Sequence, residues 1–255
     1  MYTHGLTSSV FRHTHVRVAR VLQGAGYPVV AGNNRGTALA TPLLQRSGSR
    51  ILGGAWFEQI EDATKDILAW MDLARDTDAK RIVLLGHSLG AIKAILYASE
   101  TRDTRLAGLV LASPPLRGFS RPPDPALIAR ASKAVAEGRP QELIDLGALG
   151  LAFGRLSAAT IVSWSSIGDV ARRLRPTDYP VLAVFGTEEA DIGGQAELDQ
   201  LAELVPGRFT GTMISGADHM YAGHEAEAAR LIAGWIGSQV TSPSGILSAE
   251  SSLPL

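Results

Sequence analysis

The sequence lacks cysteine altogether across its 255 residues. Disulfide bonds, a thiolate nucleophile and zinc–thiolate sites are therefore excluded. A surplus of either charge is missing too, because 24 basic residues stand against 25 acidic ones. This balance predicts no basic surface for nucleic acid or for an anionic membrane, so we expect neither as a partner.

Long apolar runs are also missing. No stretch stays apolar for the roughly 20 residues that a membrane-spanning helix needs, and the N-terminus has no basic region followed by an apolar one, as a signal peptide would. We therefore expect a soluble, cytoplasmic protein. A chain of this length commonly forms one α/β domain.

The most informative stretch is the pentapeptide Gly86-His87-Ser88-Leu89-Gly90. Residues 82–85 before it form a continuous run of β-branched and leucine residues, which is typical of a strand buried on both faces. Apolar residues recur at helical spacing over residues 91–97. A serine on so sharp a turn presents its hydroxyl outward, beside the first amides of the helix. Ser88 is thus predicted to be a nucleophile; the alternative is a plain N-cap serine.

This strand–turn–helix resembles the nucleophile elbow of the α/β-hydrolase superfamily, in its serine esterase, lipase and peptidase branch. The resemblance implies an α/β fold in which a mostly parallel sheet is flanked by helices and carries a small helical lid. His4-Gly5 resembles the superfamily's oxyanion loop. In that case the backbone N–H groups of Leu6 and Leu89 would stabilise the oxyanion. The alternative for His4 is a solvated residue in a frayed terminus.

The same resemblance divides the chain into parts. Residues 1–115 and 179–237 are predicted to form the hydrolase core, residues 116–178 a helical lid, and the serine-rich residues 238–255 a disordered tail. If His4-Gly5 is the oxyanion loop, the chain starts inside a strand that the superfamily buries between two others. The N-terminal strands would then be missing or truncated, and we expect the natural protein to begin further upstream.

A nucleophilic serine needs a neighbouring base, and the base needs an orienting acid. His219 is the preferred base, because it lies on a loop after a predicted strand and follows Ser88 in the order serine, acid, histidine. The resemblance puts the acid three residues beyond the glycine that ends the seventh strand of the superfamily, and this position is Glu189. Asp191 and, less favoured, Glu188 stay open as alternatives.

Other polar residues are predicted to have structural roles. His13 and His15 fall on the first predicted helix, His87 lies inside the elbow, and His224 stands at a helix start. The acidic residues of the segment 56–74, Glu58 among them, are predicted to form the solvated face of a long amphipathic helix.

The predicted function is that of a serine hydrolase that cleaves a carboxylic ester or thioester of a small molecule through an acyl-enzyme, with no metal and no cofactor. The first alternative is an acyltransferase that uses the same residues. Peptide or carbon–carbon bond hydrolysis are further variants. An alternative of a different class is a non-catalytic small-molecule receptor on the same fold. Because one fold hosts many activities, these alternatives stay open here.

Overall fold

The computed structural model describes residues 1–75, 79–120, 124–146, 154–175 and 177–241. Its centre is a sheet of six parallel strands. In chain order the strands are β1 (Tyr2–Thr3), β2 (Ala31–Gly32), β5 (Ile82–His87), β6 (Leu106–Ala112), β9 (Val181–Gly186) and β10 (Phe209–Ile214). Across the sheet they lie in the order β10-β9-β6-β5-β1-β2. The α/β fold with a parallel sheet is thereby confirmed.

Helices cover both faces of this sheet, as a parallel sheet requires. The flanking helices are α1 (His13–Gly24), α2 (Ala63–Arg75), α3 (Leu89–Thr101), α7 (Gln195–Leu204) and α8 (Glu225–Trp235). The strands alternate, so that Leu84 and Leu111 pack with α2, α3 and α7, whereas Leu85 and Val110 pack with α1 and α8. Both faces are therefore buried, which explains why the strands read as continuous apolar runs.

The first strand lies inside the sheet and not at its edge. Tyr2 pairs with Ala31 of β2 on one side and with Leu85 of β5 on the other. This is the position between two strands that the resemblance implied. That the natural protein begins further upstream stays a prediction.

Between β6 and β9 the chain leaves the sheet. It forms α4 (Leu116–Ser120), α5 (Pro125–Ala136), α6 (Ala158–Ser165) and a 3₁₀ turn (Val170–Leu174). It also forms a two-stranded antiparallel sheet of β7 (Leu143–Asp145) and β8 (Arg155–Ser157), where only helices were predicted. Three-residue strands are too short to show a period of two, which is why the sequence pattern missed them.

The residues of the predicted lid pack in two separate groups. Ile144, Leu156 and Ile161 pack together with α5 in a small cluster of their own. Val170 and Leu174, in contrast, are buried in the main core beside α3 and α7. The 3₁₀ turn therefore packs with the core and not with the small cluster; that residues 116–178 form a lid stays a prediction.

The last helix continues beyond α8 as a π-helical turn, Ile236–Val240, whose Val240 side chain is buried. The prediction that the disordered tail starts at residue 238 is therefore wrong for residues 238–240. Residues 242–255 of that predicted tail lie outside the described residues. Over the described part of the chain, no helix combines the length and the apolar character needed to cross a bilayer.

One ionised pair is buried in the core. Glu58 was predicted to lie on a solvated helix face, but that helix begins only with a 3₁₀ turn, Ile60–Asp62, and Glu58 precedes it. Its carboxylate is fully buried and pairs with the buried ammonium of Lys93 on α3. The second carboxylate oxygen has no hydrogen-bond partner among the described residues and lies against Gly36. Removing either charge would leave the other buried and uncompensated.

We expect the Lys93→Met variant to lose about 3–5 kcal/mol of the free energy of unfolding, because it strands the Glu58 carboxylate in the core. The double variant Lys93→Met/Glu58→Leu should lose less than either single variant. Denaturant unfolding measures both. The control is Lys65→Met, which removes the exposed partner of Asp62 and should cost less than about 1 kcal/mol. Equal losses for the two lysine variants would contradict the expectation.

Candidate active site

The turn between β5 and α3 holds Ser88 in a backbone conformation that few residues adopt, with φ of 56° and ψ of −128°. The two flanking glycines make room for it. A Cβ at Gly86 would stand 2.3 Å from the carbonyl oxygen of Gly90, and a Cβ at Gly90 would stand 2.5 Å from that of Thr3. The turn is therefore possible only without side chains at these two positions, and it leaves the Ser88 side chain half-exposed.

Three side chains from distant parts of the chain meet at this turn. The Oγ of Ser88 lies 3.0 Å from the Nε2 of His219. The Nδ1 of His219 lies 2.7 Å from the Oε2 of Glu189. Since a carboxylate only accepts hydrogen bonds, Nδ1 carries the proton of the neutral imidazole and Nε2 faces the serine as an acceptor. This is the arrangement that lets an imidazole take a proton from a hydroxyl.

His219 stands on the loop that follows β10, and several bonds shape that loop. The Oδ1 of Asp218 accepts the backbone N–H groups of Met220 and Ala222, both at 2.9 Å. The carbonyl oxygen of His219 accepts a hydrogen bond of 2.8 Å from the Nε2 of His87, inside the elbow. The base is thus fixed to the nucleophile turn through its backbone as well as through its ring.

Glu189 is the acid that the structure brings to His219. Its side chain is 1% exposed. Its Oε1 accepts hydrogen bonds from the backbone N–H of Gly186 at 2.5 Å and from the hydroxyl of Ser113 at 2.7 Å. Glu188 and Asp191 are both exposed, and no bond joins either of them to His219 in the described structure. The two alternatives are therefore not brought to the site.

Two residues at the site escaped the sequence analysis. Ser113 follows β6 and donates to Glu189, and the hydroxyl of Tyr221 lies 2.8 Å from Ser113 Oγ and donates to the Val184 carbonyl at 3.0 Å. Burial raises the pKa of Tyr221 well above its usual value, so this hydroxyl stays neutral. Both residues have positive φ, which no sequence pattern here reveals. The sequence offers one signal for Ser113, which is its position at the end of β6, the strand next to β9.

The oxyanion side of the site is formed by the loop after β1 and by the start of α3. The Nδ1 of His4 donates to the carbonyl oxygen of Gly5 at 2.8 Å, and its Nε2 accepts the backbone N–H of Asn34 at 3.2 Å. Because a trans peptide points its N–H opposite to its C=O, this bond fixes the direction of the Leu6 N–H. The N–H groups of Leu6 and Leu89 have no hydrogen-bond acceptor in the part of the chain described. Gly5 lies so close that a Cβ there would be 2.7 Å from the Cβ of Ser88.

The histidines around the site are buried and neutral. Burial lowers the pKa of His4 to about 4 and that of His87 to about 3, with repulsion from His219 as a smaller cause for His87. The predicted solvated alternative for His4 is wrong, because its side chain is fully buried. Neutral rings can donate to carbonyl groups from one nitrogen without placing a second positive charge beside the base.

We expect the Glu189→Gln variant to lose about 10³–10⁴-fold in kcat, because an amide can neither fix the tautomer of His219 nor stabilise its positive charge. Steady-state turnover of a soluble chromogenic ester measures the loss. The controls are Asp191→Asn and Glu188→Gln, which should stay within about twofold of the parent. A large loss in Asp191→Asn with little loss in Glu189→Gln would reverse the assignment.

We also expect the fold to lose stability as the pH falls below about 6.5, partly through His87. Its pKa in the folded protein lies below the unfolded value of 6.5, so the unfolded state binds more protons between about pH 6.5 and about pH 3. Unfolding is therefore favoured as the pH falls through this window.

The variant His87→Gln removes this titration and should show a loss that is smaller by roughly 3 kcal/mol between about pH 6.5 and about pH 4. Denaturant unfolding at a series of pH values measures the slope. His13→Gln, at a histidine whose side chain is 73% exposed, is the control and should keep the parent's slope. An unchanged slope in His87→Gln would contradict the expectation.

Comparison with known proteins identifies the family of the chain. Residues 1–146 match the family model Hydrolase_4, described as serine aminopeptidase, S33. The phospholipase YtpA of Bacillus subtilis (strain 168) is 32% identical over 92 residues, which are 36% of this chain and 31% of that protein. This chain thus matches less than a third of the length of that relative.

Solved structures show the same fold at low sequence identity. Est1E from Butyrivibrio proteoclasticus, with ferulic acid bound, superposes with a TM-score of 0.67 at 18% identity, over 94% of this chain and 88% of that one. The monoacylglycerol lipase of Paleococcus ferrophilus gives 0.64 at 22% identity, over 93% of both chains. With the family model covering more than half of the sequence, the chain belongs to the Hydrolase_4 family of the α/β-hydrolase superfamily.

Proposed function

We propose that this protein is a serine hydrolase that cleaves carboxylic esters or thioesters of small molecules through an acyl-enzyme. The observation that carries the proposal is the continuous chain of hydrogen bonds from Ser88 Oγ through the ring of His219 to Glu189. At the Ser88 end of this chain, Gly5 lies against Ser88, and no described residue accepts the N–H groups of the adjoining Leu6 and Leu89. This is the full set of groups that acyl transfer through serine requires.

In the first half of the reaction Ser88 Oγ attacks the carbonyl carbon of the substrate while His219 Nε2 takes the hydroxyl proton. The imidazolium that forms carries its positive charge next to the Glu189 carboxylate. The other oxygen of that carboxylate accepts hydrogen bonds from the backbone N–H of Gly186 and the hydroxyl of Ser113, which hold the carboxylate in place. His219 then returns the proton to the leaving alcohol or thiol, and the acyl group remains on Ser88.

The carbonyl oxygen becomes an oxyanion in the tetrahedral intermediate. The N–H groups of Leu6 and Leu89 are the donors in this proposal, and the loss of one such donor costs roughly 3 kcal/mol of transition-state stabilisation. His4 acts through Leu6, since its bond to the Gly5 carbonyl orients the Leu6 amide. In the second half His219 takes a proton from a water molecule that attacks the acyl-enzyme, and it gives this proton to Ser88 Oγ as the bond to the acyl carbon breaks and the acid is released.

The preference for esters over other acyl compounds draws on the relatives. The solved structures that share this fold include an esterase from Thermogutta terrifontis and a monoacylglycerol lipase, and the matched relative is a phospholipase. The description of the family names an aminopeptidase, so amide hydrolysis is the second candidate. Both reactions use the same acyl-enzyme, and they differ in the leaving group that His219 must protonate.

A fluorophosphonate probe tests the proposal, because it modifies serines activated by a base. We expect rapid labelling of the parent, none of Ser88→Ala, and a loss of turnover of at least about 10⁴-fold in that variant and in His219→Ala. His224→Ala is the control, because among the described residues the His224 side chain bonds only to exposed Glu227, and its loss should leave turnover unchanged. Labelling that persists in Ser88→Ala would remove Ser88 from the nucleophile role.

The substrates in the assay separate the alternatives. Hydrolysis of a short-chain p-nitrophenyl ester supports the proposal. Faster cleavage of an aminoacyl p-nitroanilide favours the peptidase. A new ester formed when an alcohol is added favours the acyltransferase, and binding of an ester without turnover favours the receptor.

A further inference from the structure

An exposed apolar hairpin extends from the molecule between β2 and α2. It consists of β3 (Thr41–Leu44), β4 (Arg50–Gly53) and the turn between them, and is called the β3–β4 hairpin below. Four of the eight large apolar side chains that are exposed in the described structure lie in or beside it. They are Leu39 at 40%, Leu44 at 74%, Ile51 at 40% and Leu52 at 44% exposure. Such clustering marks an interaction surface, whereas single exposed leucines carry no meaning.

The strand register places two of these side chains, Leu44 and Leu52, on the same face. Pro42 lies opposite Leu52, and Leu44 lies opposite Arg50. Residues directly opposite each other on the two strands point to the same face of the sheet. Side chains alternate between the two faces along each strand, so residues two positions apart also share a face. Pro42, Leu44, Arg50 and Leu52 therefore share one face, and all four are exposed.

The charge of the hairpin has one sign. Residues 33–57 contain no acidic residue but three arginines. Arg35 is engaged at the base of the hairpin by Asp62 and Asp66. Arg46 and Arg50 are exposed, and neither forms an ion pair within the described ranges. An apolar face flanked by two unpaired guanidinium groups is complementary to a surface that is both apolar and anionic.

The hairpin is attached at the mouth of the candidate active site. The backbone N–H of Ala38, at its base, donates to the carbonyl of Ser8 in the oxyanion loop. The backbone carbonyl of Trp56, on its other side, accepts the N–H of Ser157, which ends β8 and directly precedes α6 in the predicted lid. The β3–β4 hairpin thus lies between the oxyanion loop and the lid, on the edge of the sheet where Ser88 opens to solvent.

We propose that the β3–β4 hairpin docks the protein on anionic lipid–water interfaces, so that lipid esters reach Ser88 from the interface. Leucine side chains enter the boundary between headgroups and acyl chains, while Arg46 and Arg50 bind lipid phosphates beside them. The proposal rests on the proposed esterase function, because docking serves to bring lipid esters to Ser88. The vesicle-binding test of the docking does not depend on that function. The near-zero net charge of the chain suggested no membrane partner, whereas the local charge of this segment points to one.

Vesicle binding by the Ser88→Ala protein tests the docking without hydrolysis. We expect it to co-sediment with vesicles of phosphatidylglycerol and phosphatidylcholine in equal parts, and to bind vesicles of phosphatidylcholine alone more weakly. Arg46→Gln and Arg50→Gln should each weaken binding about fivefold, and added salt should weaken it further. Leu44→Ser/Leu52→Ser should weaken it at least about tenfold.

Matched variants show whether the effects belong to this surface. Leu68→Ser/Leu73→Ser changes two exposed leucines on α2, and Arg20→Gln/Arg230→Gln changes two exposed arginines on α1 and α8. Both should bind as the parent does. With Ser88 restored, all these variants should hydrolyse a water-soluble ester at the parent's rate, whereas only the hairpin variants should lose activity on vesicle-borne esters.

Three results would overturn the proposal. The first is no binding of the parent to either vesicle, and the second is equal binding of the hairpin and control variants. The third is a dimer in sedimentation that Leu44→Ser/Leu52→Ser dissolves, which would assign the face to a second copy of this chain. Failure of the esterase function would appear separately, as no turnover of the soluble ester by the protein with Ser88.

Discussion

The backbone of Ser88 is the constraint on which the rest of the structure depends. A non-glycine residue at φ of 56° and ψ of −128° is strained by about 1–3 kcal/mol and persists only where its surroundings determine it. Here the Ser88 N–H bonds to the carbonyl of Ala112 in β6, and Gly90 lies against the carbonyl of Thr3 in β1. The two strands next to β5 therefore hold the turn from both sides. The same two strands lead directly into the oxyanion loop and into Ser113, which bonds to the acid.

The buried ionisable side chains around the site are either neutral or paired with an opposite charge. The imidazoles of His4 and His87 are neutral because burial lowers their pKa, and the buried charge of Lys93 is compensated by Glu58. Glu189 is thus the one carboxylate in contact with the His219 ring among the described residues. A positive charge that forms on that ring during a reaction meets its counter-charge at 2.7 Å and no uncompensated cation in contact with it.

Patterns within a short stretch of sequence predicted those elements whose conformation depends on that stretch alone. The elbow could be read from five residues because glycine, serine and glycine at that spacing are required by one turn. The convergence of His219 and Glu189 on Ser88 followed from the resemblance, since both stand just after strands of a parallel sheet, and the carboxyl ends of those strands meet at one edge. Helix and strand types in the core followed from apolar periodicity.

What the sequence did not predict depends on contacts across the chain. Glu58 looked solvated because nothing in its own segment shows that Lys93, 35 positions away, reaches it in the core. Ser113 and Tyr221 owe their places to positive φ values and to strand neighbours. The strands β7 and β8 were too short to show a period. The exposed face of the β3–β4 hairpin exists only once the register of its strands is fixed.

The attachment of the three central side chains has a mechanical consequence. Ser88 and Glu189 are both anchored to the sheet, one through the elbow and the other through Gly186 and Ser113, so the distance between them is set by the spacing of strands. His219 alone is suspended from a connecting loop, and its carbonyl is tethered to His87. An outward movement of that loop would break both hydrogen bonds of the imidazole at once, the one to Ser88 and the one to Glu189, while the serine and the carboxylate kept their places. The position of the His219 ring therefore depends on its loop, and the hydrogen bond from His87 holds that loop against the nucleophile turn.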